Sequence, residues 1–204
     1  MLRRTSVPLA TALVIGGAAC GGDSSPERDD PFSQFAAAAE QMKAAAESVA
    51  DRKPVPPVAF RELIDLLPEK VAGMRAQEPR GETTSAGSWR YSQAEVAFRS
   101  EDGSKSAEVG IFDYAHIPFL YAPFRMFLTM GVSRESTEGY ERSTEIEGHP
   151  GFEKWRRQGT GEAVVLVGDR FIVKAETRGL DEGAARKILE DMDLEELASK
   201  GTEG

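Results

Sequence analysis

Two histidines and one thiol are the side chains of this 204-residue sequence best suited to acid–base, nucleophilic or metal chemistry near neutral pH. His116 sits in "YAHIP", His149 in "EGHPG" and Cys20 in "GGAACGGDSS". A histidine beside a carboxylate could act as the general base of a hydrolase. A zinc site wants three or four clustered His and Cys ligands, and this supply is too thin, so we expect no metal and no cofactor. The chain has no HExxH, Walker loop, dinucleotide fingerprint or nucleophile elbow; the Gly-Thr-Gly at 159–161 lacks a third glycine and a following helix. "EDGS" at 101–104 resembles a calcium loop only in part, because alignment on Gly103 leaves Phe98 and Val109 where acidic ligands belong. Acidic runs such as "EDMDLEE" read as solvated helix surface. We therefore expect a nonenzymatic protein with no catalytic residue, the alternative being an enzyme that uses His116 or His149. Trp89, Tyr91 and Trp155 could line a ligand groove, although aromatics alternating in strands are ordinarily core.

Cys20 is the one candidate whose surroundings specify its chemistry. Before it come Arg3 and Arg4, then an uncharged stretch from Thr5 to Ala19 rich in Val, Leu, Ala, Ile and Gly. A basic start, a short apolar centre and small residues before a cleavage point make the three-part pattern of a secretory signal peptide. The stretch is too short to span a bilayer, which takes about 20 apolar residues. The residues Gly17, Ala18, Ala19 and Cys20 resemble the lipobox of bacterial lipoproteins, with glycine at 17 where that family carries a large aliphatic residue. The resemblance implies that residues 1–19 are removed, that Cys20 is acylated, and that the protein is held to a membrane outside the cytoplasm. By the same resemblance, Gly21 is compatible with the outer membrane of a two-membrane envelope. The alternative is an ordinary signal peptide cut near Ala19, with Cys20 a free thiol. With one cysteine, no disulfide can form within the chain.

Loss of the two leader arginines would take the formal charge from −9 to −11. An acidic chain repels phosphate backbones, which argues against nucleic acid and leaves the membrane and an envelope protein as expected partners. "EKWRRQ" at 153–158 is the one short basic cluster of note, and it reads as a solvated strand or turn. Residues 20–33 are rich in Gly, Ser, Asp and Pro, the composition of a flexible tether reaching about 20 Å. Residues 34–51 are an Ala-rich helix with Phe35, Met42 and Val49 seven apart, a narrow stripe that could lie on its own domain or pair with another copy as an oligomerising stalk over 34–50. The prolines of the linker 52–58 stop it.

The elements that would position any site lie in 59–198, followed by a disordered tail at 199–204. Phe60, Leu63, Ile64 and Leu67 make one face of a helix ending at Pro68. After the polar loop "EPRGETTSAGS", residues 88–99 and 105–114 read as a hairpin about "SEDGS". In the first of those strands Trp89 and Tyr91 share one parity while Ala94, Val96 and Phe98 share the other. That switch requires a bulge or a sheet covered on both faces. "PFLYAPFRMFLTMGV" at 118–132 reads as a buried helix, and any exposed part of it, with Phe124 and Phe127, would be a partner surface. Four short runs then form a meander from Gly139 to Thr177. A helix over Asp181–Met192 and a short capped turn over Asp193–Leu197 close the chain. The expectation is an α+β domain, an antiparallel sheet of about six strands with helices packed on it, preceded by the Ala-rich helix. This order resembles small modules of the PsbP and Mog1 type in topology alone. The phrases "RELIDLLP", "GYER" and "LVGDRF" are similar to those of uncharacterised bacterial lipoproteins, from which no active site transfers.

Overall fold

A computed structural model describes residues 55–86, 89–115, 124–125, 127–128 and 130–201, with the backbone alone at residues 86 and 89. The leader, Cys20, the tether, the Ala-rich helix and His116 lie outside the described residues.

The described chain is mostly β. A two-residue hairpin pairs β1 (Lys70–Val71) with β2 (Met74–Arg75). The main sheet holds eight antiparallel strands: β3 (Arg80–Ala86), β4 (Trp89–Arg99), β5 (Ser106–Asp113), β6 (Ser133–Ser136), β7 (Gly139–Ile146), β8 (His149–Arg156), β9 (Thr160–Val167) and β10 (Phe171–Arg178). Their spatial order is β3-β4-β5-β10-β9-β8-β7-β6. Two meanders therefore meet at the β5–β10 seam, and the connection after β5 must cross the sheet to start β6 at the far edge. The helices are short: α1 (Phe60–Ile64), α2 (Ala184–Glu190) and α3 (Leu194–Lys200).

Eight strands replace the expected six. The additions are the edge strands β3, inside the segment read as a polar loop, and β6. Edge strands face water along one side, so neither needs the apolar alternation that marks a central strand. Residue Thr83 of β3 instead bonds the Ser92 hydroxyl of β4 at 2.7 Å. The helix ending at Pro68 is shorter than expected, closing at Ile64 with turns through Leu67. The expected 181–192 helix contracts to 184–190. The capped turn after Asp193 is a full helix, with Asp193 accepting from the Glu196 amide at 2.8 Å. That helix runs through Lys200, two residues into the expected tail.

One face of the sheet packs on the helices. Val96, Phe98, Val109, Ile111, Val165, Val167, Phe171 and Val173 bury against Leu63, Ile188, Leu189, Leu194 and Leu197. Each such side chain taken out of water is worth about 1.5–3 kcal/mol. Gly161 makes room for its strand neighbour Thr177, since a Cβ there would stand 2.6 Å from the Thr177 hydroxyl.

The parity switch in β4 has a definite cause. β4 pairs with β3 and β5 without a break in register, so there is no bulge. The outer face instead carries its own apolar layer at one end, where Val164 and Leu166 are buried and Phe112, Phe152, Ile172 and Tyr91 are half-buried. Part of the connection after β5 lies on this layer. Residues 124–125 and 127–128 are helical, Phe127 meets Phe152 edge to face at 5.0 Å, and Arg125 reaches Asp169 at 3.5 Å. The rest of the helix read over 118–132 includes residues outside those described, and Met130 is exposed.

At the same end, one buried ion pair ties the fold together. Arg170 and Asp113 are 1% and 0% exposed. Arg170 donates to the carboxylate through Nε at 2.9 Å and Nη2 at 2.8 Å. The carboxylate also accepts the amides of Ala115 at 2.8 Å and Val58 at 2.7 Å. Arg170 further donates to the Pro56 carbonyl at 2.9 Å and the Gly201 carbonyl at 3.3 Å. Residues of the segment read as a linker thus belong to the fold.

Candidate functional site

The opposite end of the outer face is bare among the described residues. Strand pairing there sets side chains in rows that run across five strands. The last row reads Arg99, Ser106, Arg178, Thr160, Arg156, from β4 through β5, β10 and β9 to β8. The next row in reads Ala97, Glu108, Glu176, Glu162, Lys154 on the same strands. Both rows line a groove of about 410 Å³.

Local sequence explains why the row is straight. Arg99, Arg178 and Arg156 are each the last residue of a strand, and the three strands run the same way because a single antiparallel neighbour separates each from the next. The turns beyond them are pinned. In the β4–β5 turn the Asp102 carboxylate accepts from the Ser100 hydroxyl at 2.6 Å, the Ser104 amide at 3.0 Å and the Ser104 hydroxyl at 2.8 Å. Those bonds hold its carboxyl down to about 2, with the Ser100 hydroxyl the largest cause. The turns after β8 and β10 are joined by the Gly179 amide donating to the Gly159 carbonyl at 2.7 Å. Gly179 has φ +71, and a Cβ there would fall 2.2 Å from the Ser104 carbonyl oxygen, so only glycine lets the turns close up.

The two rows differ in how their charge is met. Lys174 donates to Glu176 at 2.6 Å and lies 3.8 Å from Glu162. Burial pushes the Lys174 ammonium down, but the hydrogen bond to Glu176 and the charges of Glu176, Glu162 and Glu108 outweigh it and raise it above the ordinary lysine range. Lys154 lies 3.9 Å from Glu141. Arg99, Arg156 and Arg178, all exposed, form no ion pair or side-chain hydrogen bond among the described residues. A guanidinium offers five donors in a planar fork suited to carboxylate, sulfate or phosphate, and here three of them wait on alternate strands. A second groove of about 350 Å³ adjoins through Lys154 and Arg156 and carries Tyr140 and Trp155, whose rings stack at 6.4 Å. Burial, then the charge of Glu153, raises the Tyr140 hydroxyl above its ordinary range. A smaller recess of about 100 Å³ shares Ala97 and Glu108 with the first.

The residues singled out from sequence do not converge. Tyr91 faces the outer side near Tyr114, at the apolar end, whereas Trp155 faces the helix side at the other end. Trp89 pairs through its backbone with Ala86. Phe127 lies over the apolar end of the outer face, against Phe152, and Phe124 is half-buried in the same helical stretch. His149 opens β8 opposite Ile146 and lines none of the three grooves. Its Nε2 is buried with no hydrogen-bond partner among the described residues, and the same holds for Trp155 Nε1. Glu153 is buried on the helix side between Arg142 and Arg186. Among the described residues no three His, Cys, Asp or Glu gather as for a metal ion, and no helix is long and apolar enough to cross a membrane. The arginine row was hidden from the sequence because its members stand 57 and 22 positions apart and only pairing aligns them. Compared with family models, curated proteins and solved structures, the chain matches none.

Proposed function

We propose that this protein is a lipid-anchored binding module of the cell envelope, held by acylated Cys20 and engaging its ligand through the outer-face groove. The observation that carries the binding role is the row of three unpaired strand-final arginines on an open sheet face. In a chain of formal charge −9, three exposed guanidinium groups on one line without ion-pair partners among the described residues make a local positive potential suited to an anionic ligand. The anchor rests on the lipobox-like Gly17–Cys20 and the signal-peptide pattern before it. Each acyl methylene buried in a bilayer is worth about 0.8 kcal/mol, so two or more chains would hold the module firmly.

Fatty-acid labelling of the full chain in a bacterial host tests the anchor. Mass spectrometry should find an N-terminal peptide starting at acylated Cys20, and Cys20→Ser should lose the label and leave the membrane fraction. A bare sulfur, or residues 1–19 still attached, overturns the anchored reading.

A further inference from the structure

We infer that the groove receives an acidic polysaccharide laid across the strands, its acid groups seated on Arg99, Arg178 and Arg156 and its ring hydroxyls on Glu108, Glu176 and Glu162. This rests on the groove being the binding site.

The first argument is spacing. The arginines occupy every second strand, so their backbones stand about 10 Å apart. Such seats suit a chain with discrete charges at intervals, as when every second sugar ring bears an acid. The second argument is the row beside them. Three glutamates face the groove with Lys174 as their shared cation, and a polymer with anions at every unit would press some of them against these carboxylates. The net acidity of the whole chain adds to that repulsion.

A sugar hydroxyl donates and accepts, so it can give its proton to a glutamate while its oxygen accepts from Ser106 or Thr160, which alternate with the arginines. An extended acidic peptide fits less well, because side chains on one of its faces recur about every 6.7 Å, out of step with seats about 10 Å apart. The row also stands at the sheet end opposite the clasp that holds Pro56 and Val58, so a ligand there does not crowd the chain's point of entry.

The test titrates the full chain, in detergent micelles, with a hyaluronate octasaccharide, which bears a carboxylate on alternate rings. Polygalacturonate, dextran, polyphosphate and polyglutamate run beside it. Hyaluronate should bind saturably and tighter than polygalacturonate, and dextran should not bind. Arg178→Ala, Arg99→Ala and Arg156→Ala should each weaken it about tenfold or more while leaving the unfolding midpoint in place, since all three side chains are exposed. Glu108→Gln supplies the sign that a simple charge effect would reverse. It should weaken hyaluronate by removing a strong acceptor, and a strengthened complex would overturn the hydroxyl contact. Tighter, Arg178-dependent binding of polyphosphate or polyglutamate would overturn the polysaccharide and leave the groove as a binding site. Titrations that are flat, or indifferent to all three arginine variants, would sink both.

Discussion

Arg170 shows how much a single buried side chain can organise. Its guanidinium donates two hydrogen bonds in a fork to the Asp113 carboxylate, which also accepts two backbone amides while Arg170 donates to two backbone carbonyls. Burying such a pair is costly, so its net worth is modest, but breaking it strands a charge. Arg170→Met should cost about 3–5 kcal/mol in urea unfolding. The double variant with Asp113→Leu should recover part of that loss, and no recovery would mean that the backbone bonds matter more than the charge. Asp102 makes a contrasting case in water. Its carboxyl is lowered from 3.8 to about 2, so the support it gives the β4–β5 turn is full above the ordinary value and is lost as pH falls through about 2. The Ser104 amide resonance should shift over that range, and a midpoint near 3.8 would show the turn bonds to be weak. Asp102 was legible as a turn residue, but the buried pair was not, because Asp113 and Arg170 fall in two separate expected strands 57 positions apart.

At the scale of elements, the turns were the readable part. "SEDGS" was expected to join two strands and does so, and the meander from β7 to β10 follows its glycine-containing turns. The edges were unreadable for a physical reason: "RGETTSA" and "SRES" pair through their backbones and have little apolar surface to hide, so no period marks them. The arginine row needed pairing as well as strands, and it depends on the turns beyond it. Gly179→Ala should destabilise the fold by at least about 1–2 kcal/mol, since it adds a side chain in the left-handed region beside the Ser104 carbonyl. Amide resonances of Arg99, Ser106 and Arg178 should move together in that variant. Movement confined to position 179 would show the turns to be independent. On the other end of the outer face, Phe127→Ala removes the edge-to-face contact with Phe152 and should cost about 1–2 kcal/mol by thermal unfolding, less than a fully buried phenylalanine. A neutral outcome would mean that the apolar layer does not need this cover.

Over the whole molecule, one sheet keeps two different surfaces on its outer side, apolar and covered at the clasp end, charged and open at the arginine end. β5 measures the distance between them, seven residue steps from Asp113 to Ser106, or roughly 24 Å. The general form, strands with helices on one face, could be read from hydrophobic periodicity, but the division of the other face could not. It arises from rows that mix residues of five strands. The clasp itself carries a mechanical corollary. Arg170 grips the carbonyls of Pro56 and Gly201 at once, so the front and the back of the folded chain leave by the same wall. A leash could therefore be swapped from head to tail without turning the molecule around. A Cys20→Ser protein re-hung from vesicles by a lipid placed after Gly204 should offer its far rim to soluble polymers just as before, whereas a protein whose ends parted to opposite poles would present it to the bilayer instead.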